Sequence, residues 1–278
     1  MAADNRYPVA RILIEQGTLD ADAVVFTGIA GALDFNNIGE FTKASLRSNE
    51  GKYLLDITPV SGSKLKIAIS VHDSALPLLP NWHFDELTAK GEMGGNGLSI
   101  SEFNGRILGS ELHGNAEIDW PSGWVAQGSM TAKTIPMQRL GKLLEGNIDG
   151  SARFKMSAVN LGGLADSAMI EGSFMAKDGV ISGMDIVATA RTRSREHLPG
   201  GRTHFDELSG TASYSDNKLH IRQAKITSNS LNAVATLDIE KEQMSGMVTT
   251  RLTVEDGSKP VELEISGRTD SPSLRFVP

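Results

Sequence analysis

The chain has 278 residues, is 40% hydrophobic and 22% charged, and so holds enough apolar material to fold, which excludes an intrinsically disordered chain. A net charge of −7 argues against wholesale nucleic-acid binding, which needs a basic surface to neutralise phosphates. The absence of cysteine removes disulfides, thiolate zinc sites and cysteine nucleophiles, and no apolar run reaches the roughly 18 residues that a membrane-spanning helix needs.

The N-terminal stretch through Gly17 lacks the charged, apolar and small-residue succession of a secretory signal. Period-2 alternation then dominates. Leu65, Ile67, Ile69 and Val71 alternate with Lys66, Ala68 and Ser70, which predicts a strand with one apolar and one wet face. Gly91 to Gly97 is glycine-rich but matches no phosphate-loop spacing, and a strand follows it, so a hairpin turn is expected. Asp119-Trp120-Pro121 and Trp124 place two indoles around a tight turn. They can anchor a core, stack on a sugar or sit at a membrane interface, and Trp82 is a similar case.

Helical pattern is confined to about 134–170. Thr134 and Pro136 supply a start, Met137, Leu140 and Leu144 one face, and Gly146 a stop. A second short helix is expected over about Leu161 to Met169. Between them, Ala152, Phe154, Met156 and Ala158 alternate with Arg153, Lys155 and Ser157 as a strand, and near the end Val261, Leu263 and Ile265 alternate with Glu262, Glu264 and Ser266. Asp178-Gly179, Asp216-Asn217 and Asp256-Gly257 read as hairpin turns. The predicted fold is mainly β: an elongated antiparallel sheet with one or two short helices covering an end or an edge.

An internal repeat organises this pattern. His83-Phe84-Asp85-Glu86-Leu87 recurs as His204-Phe205-Asp206-Glu207-Leu208, with Leu98-Ser99-Ile100 matching Leu219-His220-Ile221 at the same offset. After a two-residue gap, Ile107, Leu112, Ile118 and Asp119 correspond to Ile226, Leu231, Leu237 and Asp238. The units cover 83–120 and 204–240, and residues 1–278 read as one region with two related halves, since β units that cannot bury their faces alone stack.

The repeated His and Asp are metal-ligand types without HExxH or paired-His spacing, so Phe and Leu anchoring a strand explains them better. No nucleophile elbow or acid/base pair stands out, and no catalytic residue, metal or cofactor is assigned. Arg191, Arg193 and Arg195 would project to one side of an extended segment. Such a row of guanidinium groups suits phosphate or carboxylate, including anionic lipid headgroups or lipopolysaccharide.

Several segments in order resemble the C-terminal region of the AsmA family. They are Asn81 to Leu87, Ile118-Asp119-Trp120 with Ser122-Gly123-Trp124, and Asp178 to Ile186. Leu208-Ser209-Gly210-Thr211, Leu219-His220-Ile221, Leu237-Asp238-Ile239 and Leu263 to Pro272 continue the series. The resemblance runs from about Trp82 onward, and its motifs are degenerate, so their order carries it. It implies a curved, taco-like β-groove in the periplasm, anchored to the inner membrane by an N-terminal helix that this sequence lacks. It further implies a non-enzymatic role in outer-membrane biogenesis or intermembrane lipid transport, with phospholipid or lipopolysaccharide as partner. The alternative is a scaffold or chaperone-like adaptor for outer-membrane assembly proteins. Leu65, Ile67, Ile69, Phe154, Met156, Leu263 and Ile265 are the groove candidates, and Arg191, Arg193 and Arg195 the headgroup candidates.

Overall fold

A computed structural model describes residues 9–21, 24–76, 79–107, 109–253 and 259–278. The predicted Asp256-Gly257 turn lies outside the described residues. The protein is mainly β, with eighteen strands among the described residues assigned to one sheet, and every registered pair is antiparallel. The chain divides into two compact units, Met1–Gly128 with Lys155–Ser167, and Ser129–Phe154 with Ala168–Pro278.

In the first unit β1 (Arg11–Ala21), β2 (Val24–Phe35), β3 (Phe41–Ser48), β4 (Tyr53–Pro59) and β5 (Leu65–Leu76) each pair with the next. β6 (Leu79–Met93), β7 (Gly97–Ile107) and β8 (Ser110–Asp119) continue the meander. β9 (Trp124–Pro136) and β10 (Leu144–Ala158) each contribute residues to both units. In the second unit, β11 (Met169–Ser182) pairs with β13 (Arg202–Ser215). From there β14 (Lys218–Ser228), β15 (Leu231–Glu240), β16 (Gln243–Leu252), β17 (Val261–Arg268) and β18 (Ser271–Val277) follow in hairpin order. The two-residue β12 (Leu198–Pro199) pairs with β18.

Helix is scarcer than predicted and differently placed. Of the expected helix from Thr134, only a 3-10 turn at Met137–Arg139 exists, and Leu144 already opens β10. The expected Leu161 helix is two 3-10 turns, Leu161–Gly163 and Ala165–Ser167. The one α-helix among the described residues, α1 (Ile186–Thr192), lies where an extended segment was expected. Asp185 caps it by accepting the Ala188 N–H at 2.8 Å, and Ile186 and Ala190 are buried on one side. An aspartate before an i, i+4 apolar pair is the local signal for this start. Helix period won at Ile186 because it puts that pair onto the sheet.

The repeat persists in the strands. β7 and β14 start and stop 121 positions apart, as do β8 and β15. One extra residue enters β7 between Ile100 and Phe103, and one enters β14 between Ile221 and Ala224, again at that offset. The two-residue gap is therefore corrected: Ile118 matches Ile239 and Asp119 matches Glu240. A slip of two returns aliphatic to aliphatic in a period-2 strand, so the wrong alignment scores almost as well as the right one. Asp216 and Asn217, at φ 51° and 59°, form the predicted turn between β13 and β14. Asp178 has φ 51° but sits inside β11 facing Asp206, so Asp178-Gly179 is an irregularity within a strand and not a hairpin turn.

The polar faces carry cross-strand charge pairs, including Arg11–Asp34, Lys43–Asp56 at 3.4 Å and Arg268–Glu242 at 2.7 Å. A hydrogen bond from Arg11 holds the Asp34 carboxyl below its usual range, and Ser45 does the same for Asp56. A depressed folded-state value means stability that is complete above the unfolded Asp pKa of about 3.9 and lost as pH falls through the lower folded values. The melting temperature should thus be flat from pH 7 to 5 and decline in the acid range. Asp185→Ala should cost about 1 kcal/mol in urea denaturation, as for other lost caps.

Candidate functional site

Alternation in β1 to β8 puts apolar side chains on one face, and the registers join those faces into a continuous surface. Ile12 stands opposite Leu33, Leu33 opposite Ala44, and Ala44 opposite Ile57. Ile57 then meets Ile67, Ile67 meets Gly91, Gly91 meets Ile100, and Ile100 meets Ala116. Neighbouring rows add Leu46, Leu55, Ile69 and Ala89, then Phe103 and Gly114. Large residues face small ones from β5 onward, so the surface is furrowed. At Gly91 the strands approach so closely that a Cβ would overlap the Ser99 carbonyl oxygen.

Much of this surface is only half-buried: Leu46, Leu55, Leu65, Ile69, Ile100 and Phe103 all retain solvent contact. Elsewhere on it Ala44, Ile67, Val71, Leu87 and Leu112 are buried, at 2%, 6%, 0%, 6% and 5% exposure, and one end is covered by a short segment. There Leu161 and Leu164, at 8% and 2% exposure, form a plug with Ala126. Phe26 of β2, Ile118 of β8 and Trp124 of β9 all pack on that plug. Strands far apart in hairpin order meet at the same two leucines, so the first unit curls with its apolar face inward.

The second unit has the same alternation but a closed core. Leu263 and Leu274 are fully buried at 0%, Val248 and Leu231 lie at 1%, and α1 adds Ile186 and Ala190 at 2% each. Leu263 and Ile265 are therefore core residues of this unit and open to no ligand, a correction to their place among the groove candidates. Packing by a helix, which alternation alone does not reveal, decides it. Leu65, Ile67 and Ile69 share the furrowed face of the first unit, with Ile67 buried at 6%. Met156 packs against the plug, and Phe154 is half-buried in the second unit.

The arginine row does not form. Arg191 ends α1, and Arg193 is its left-handed cap at φ 50°, with its guanidinium 6.0 Å from the Phe276 ring centroid. Arg193 and Arg195 lie beyond the last helical residue, Thr192, so the three arginines do not share one extended segment. Arg195 is exposed in the bend beyond.

The repeated motif is structural. Phe84 and Leu87, then Phe205 and Leu208, are buried at 3%, 6%, 2% and 8%, whereas His83 and His204 face solvent. Three-residue spacing would normally split a strand's faces. An extra residue in β6 between Phe84 and Glu86 brings Phe84 and Leu87 to one side, and the Asp85 carboxylate accepts the Gly109 N–H at 3.3 Å. His83 contacts Asp73 at 2.8 Å and holds its carboxyl below the usual range through that hydrogen bond. Among the described residues no three metal-ligand side chains converge.

The glycine-rich stretch closes the β6–β7 hairpin, Gly94 N–H donating to the Gly97 carbonyl at 2.9 Å. Beside it, an open hollow of about 660 Å³ on the polar face carries Lys64, Lys66 and Lys90 against Glu92, Glu117 and Asp119. Its charges balance, with Lys64 3.6 Å from Glu92.

The first eighty residues contribute Leu33, Leu46 and Leu55 to the furrowed face, although the family resemblance starts only near Trp82. Their own alternation was the available signal, as in Tyr53-Leu54-Leu55-Asp56-Ile57. The contrast between units predicts unequal mutational effects. Leu263→Ala should destabilise by about 2–5 kcal/mol in chemical denaturation, the range for a closed core, and Ile69→Ala by less than half as much.

Compared with family models, curated proteins and solved structures, the chain matches none.

Proposed function

We propose that this chain is a non-enzymatic lipid-binding module that shelters the acyl portion of a phospholipid or lipopolysaccharide along the inward apolar face of its first unit. The observation that carries this reading is that face: a furrowed aliphatic surface continuous across eight strands, half-exposed at Leu46, Leu55, Ile69, Ile100 and Phe103, with a plug at one end. Apolar surface in contact with water costs roughly 25 cal/mol per Å², so a partner that covers it is favoured. Two leucines of one short segment bridge the facing strands at the plug. Each sheltered methylene contributes about 0.8 kcal/mol, and aliphatic contact without fixed polar partners lets a chain slide.

The AsmA resemblance supports the same reading from the sequence and adds the cellular setting: a periplasmic segment of an inner-membrane-anchored protein serving outer-membrane biogenesis or lipid transport between membranes.

Native mass spectrometry of protein purified without detergent tests this directly. Adducts with phospholipid masses are expected on the wild type. Ile69→Asp or Ile100→Asp, at half-exposed positions of the furrow, should remove them while the circular dichroism spectrum stays unchanged. Lipid-free protein in repeated preparations, or adducts that persist in both folded variants, would move the assignment to the scaffold reading.

A further inference from the structure

Next to the plug, the first unit presents an apolar patch that the furrow does not use. Val159 stands between β10 and the Leu161–Gly163 turn and is 93% exposed, more than any other large apolar side chain described. An open hollow of about 570 Å³ adjoins it, walled by Trp124, Val125 and Ala158 with Ser122 and Ser157. No charged side chain lines that hollow. The Trp120 and Trp124 rings stack beside it with centroids 5.5 Å apart and planes tilted by 44°. Trp120 is fixed by its indole N–H, which donates to the Gly95 carbonyl at 3.2 Å. Asn160 fixes the other side by accepting the Gly163 N–H at 3.0 Å. An aliphatic tip thus projects from a rigid turn, flanked by a held indole pair and two hydroxyls.

We infer that this Val159–Trp124 end is a bilayer-contact site that inserts shallowly into a zwitterionic lipid surface. The chemistry selects that occupant over a protein. A stable protein interface buries about 800 Å² on each partner around a packed centre, whereas here a single valine projects beyond its surroundings. Half-buried indoles beside an aliphatic tip suit the graded polarity of a headgroup layer. Charge selects the lipid type: the patch offers no cation, and the chain's net charge of −7 opposes an anionic surface. Because Val159 precedes the plug by two residues, contact here brings the covered end of the furrow to the membrane.

Flotation of the full chain with phosphatidylcholine vesicles, followed by quenching of indole emission with lipids brominated on the acyl chain, tests the site. Trp82→Phe removes the distant indole from the signal. The wild type should float and be quenched, Val159→Asp should lower the bound fraction at least fivefold with unchanged thermal melting, and Val159→Leu should retain it. Adding phosphatidylglycerol should weaken binding. No flotation, equal flotation of Val159→Asp, or tighter binding to the anionic vesicles would overturn the inference. The outcome is separable from the furrow reading. Vesicle binding without co-purified lipid would leave this site standing and remove the furrow, and lipid retained in Val159→Asp would locate the loss at the contact alone.

Discussion

Strict alternation in antiparallel hairpins gives every strand one apolar side, and antiparallel registry lines those sides up into one surface per unit. Such a surface has to be covered, and the two units meet that demand differently. In the second, α1 lies over β16, β17 and β18, and the central side chains of the sheet fall to 0–1% exposure. In the first, two 3-10 turns cover one end, and Leu46, Leu55, Ile69, Ile100 and Phe103 keep solvent contact beside the buried Val71 and Leu87.

The duplication sharpens the contrast because β7 and β8 match β14 and β15 in length, and β7 and β14 carry the same irregularity. The extra residue in β7 and its counterpart in β14 twist their strands alike, and Phe84 and Phe205 sit at equivalent places in the two motifs. What differs is what packs on top. A seven-residue helix capped by Asp185 follows β11, whereas the segment after β10 yields only Leu161 and Leu164 to its neighbours.

Polar chemistry is subordinate to this plan. His83–Asp73, His220–Asp238 at 2.6 Å and the cross-strand Lys and Arg pairs sit on the outward faces, where they set register and solubility. Exposed pairs of this kind contribute little each, and among the described residues no three metal-ligand side chains converge.

Alternation, a local property readable residue by residue, determined the β class, the antiparallel order, the duplicated units and the apolar identity of Leu65, Ile67, Ile69, Phe154, Met156, Leu263 and Ile265. It did so because side-chain direction in a strand depends only on parity. The tertiary structure alone decided which of those residues stay reachable. Leu263 and Ile69 have the same local pattern, but α1 covers one face and no helix of that kind covers the other. Period-2 symmetry also hid the true offset of the repeat, since a slip of two residues leaves the pattern intact. The predicted helix at Met137 failed because Leu144 is needed as the start of β10, and pairing in a sheet outweighs a weak helical period.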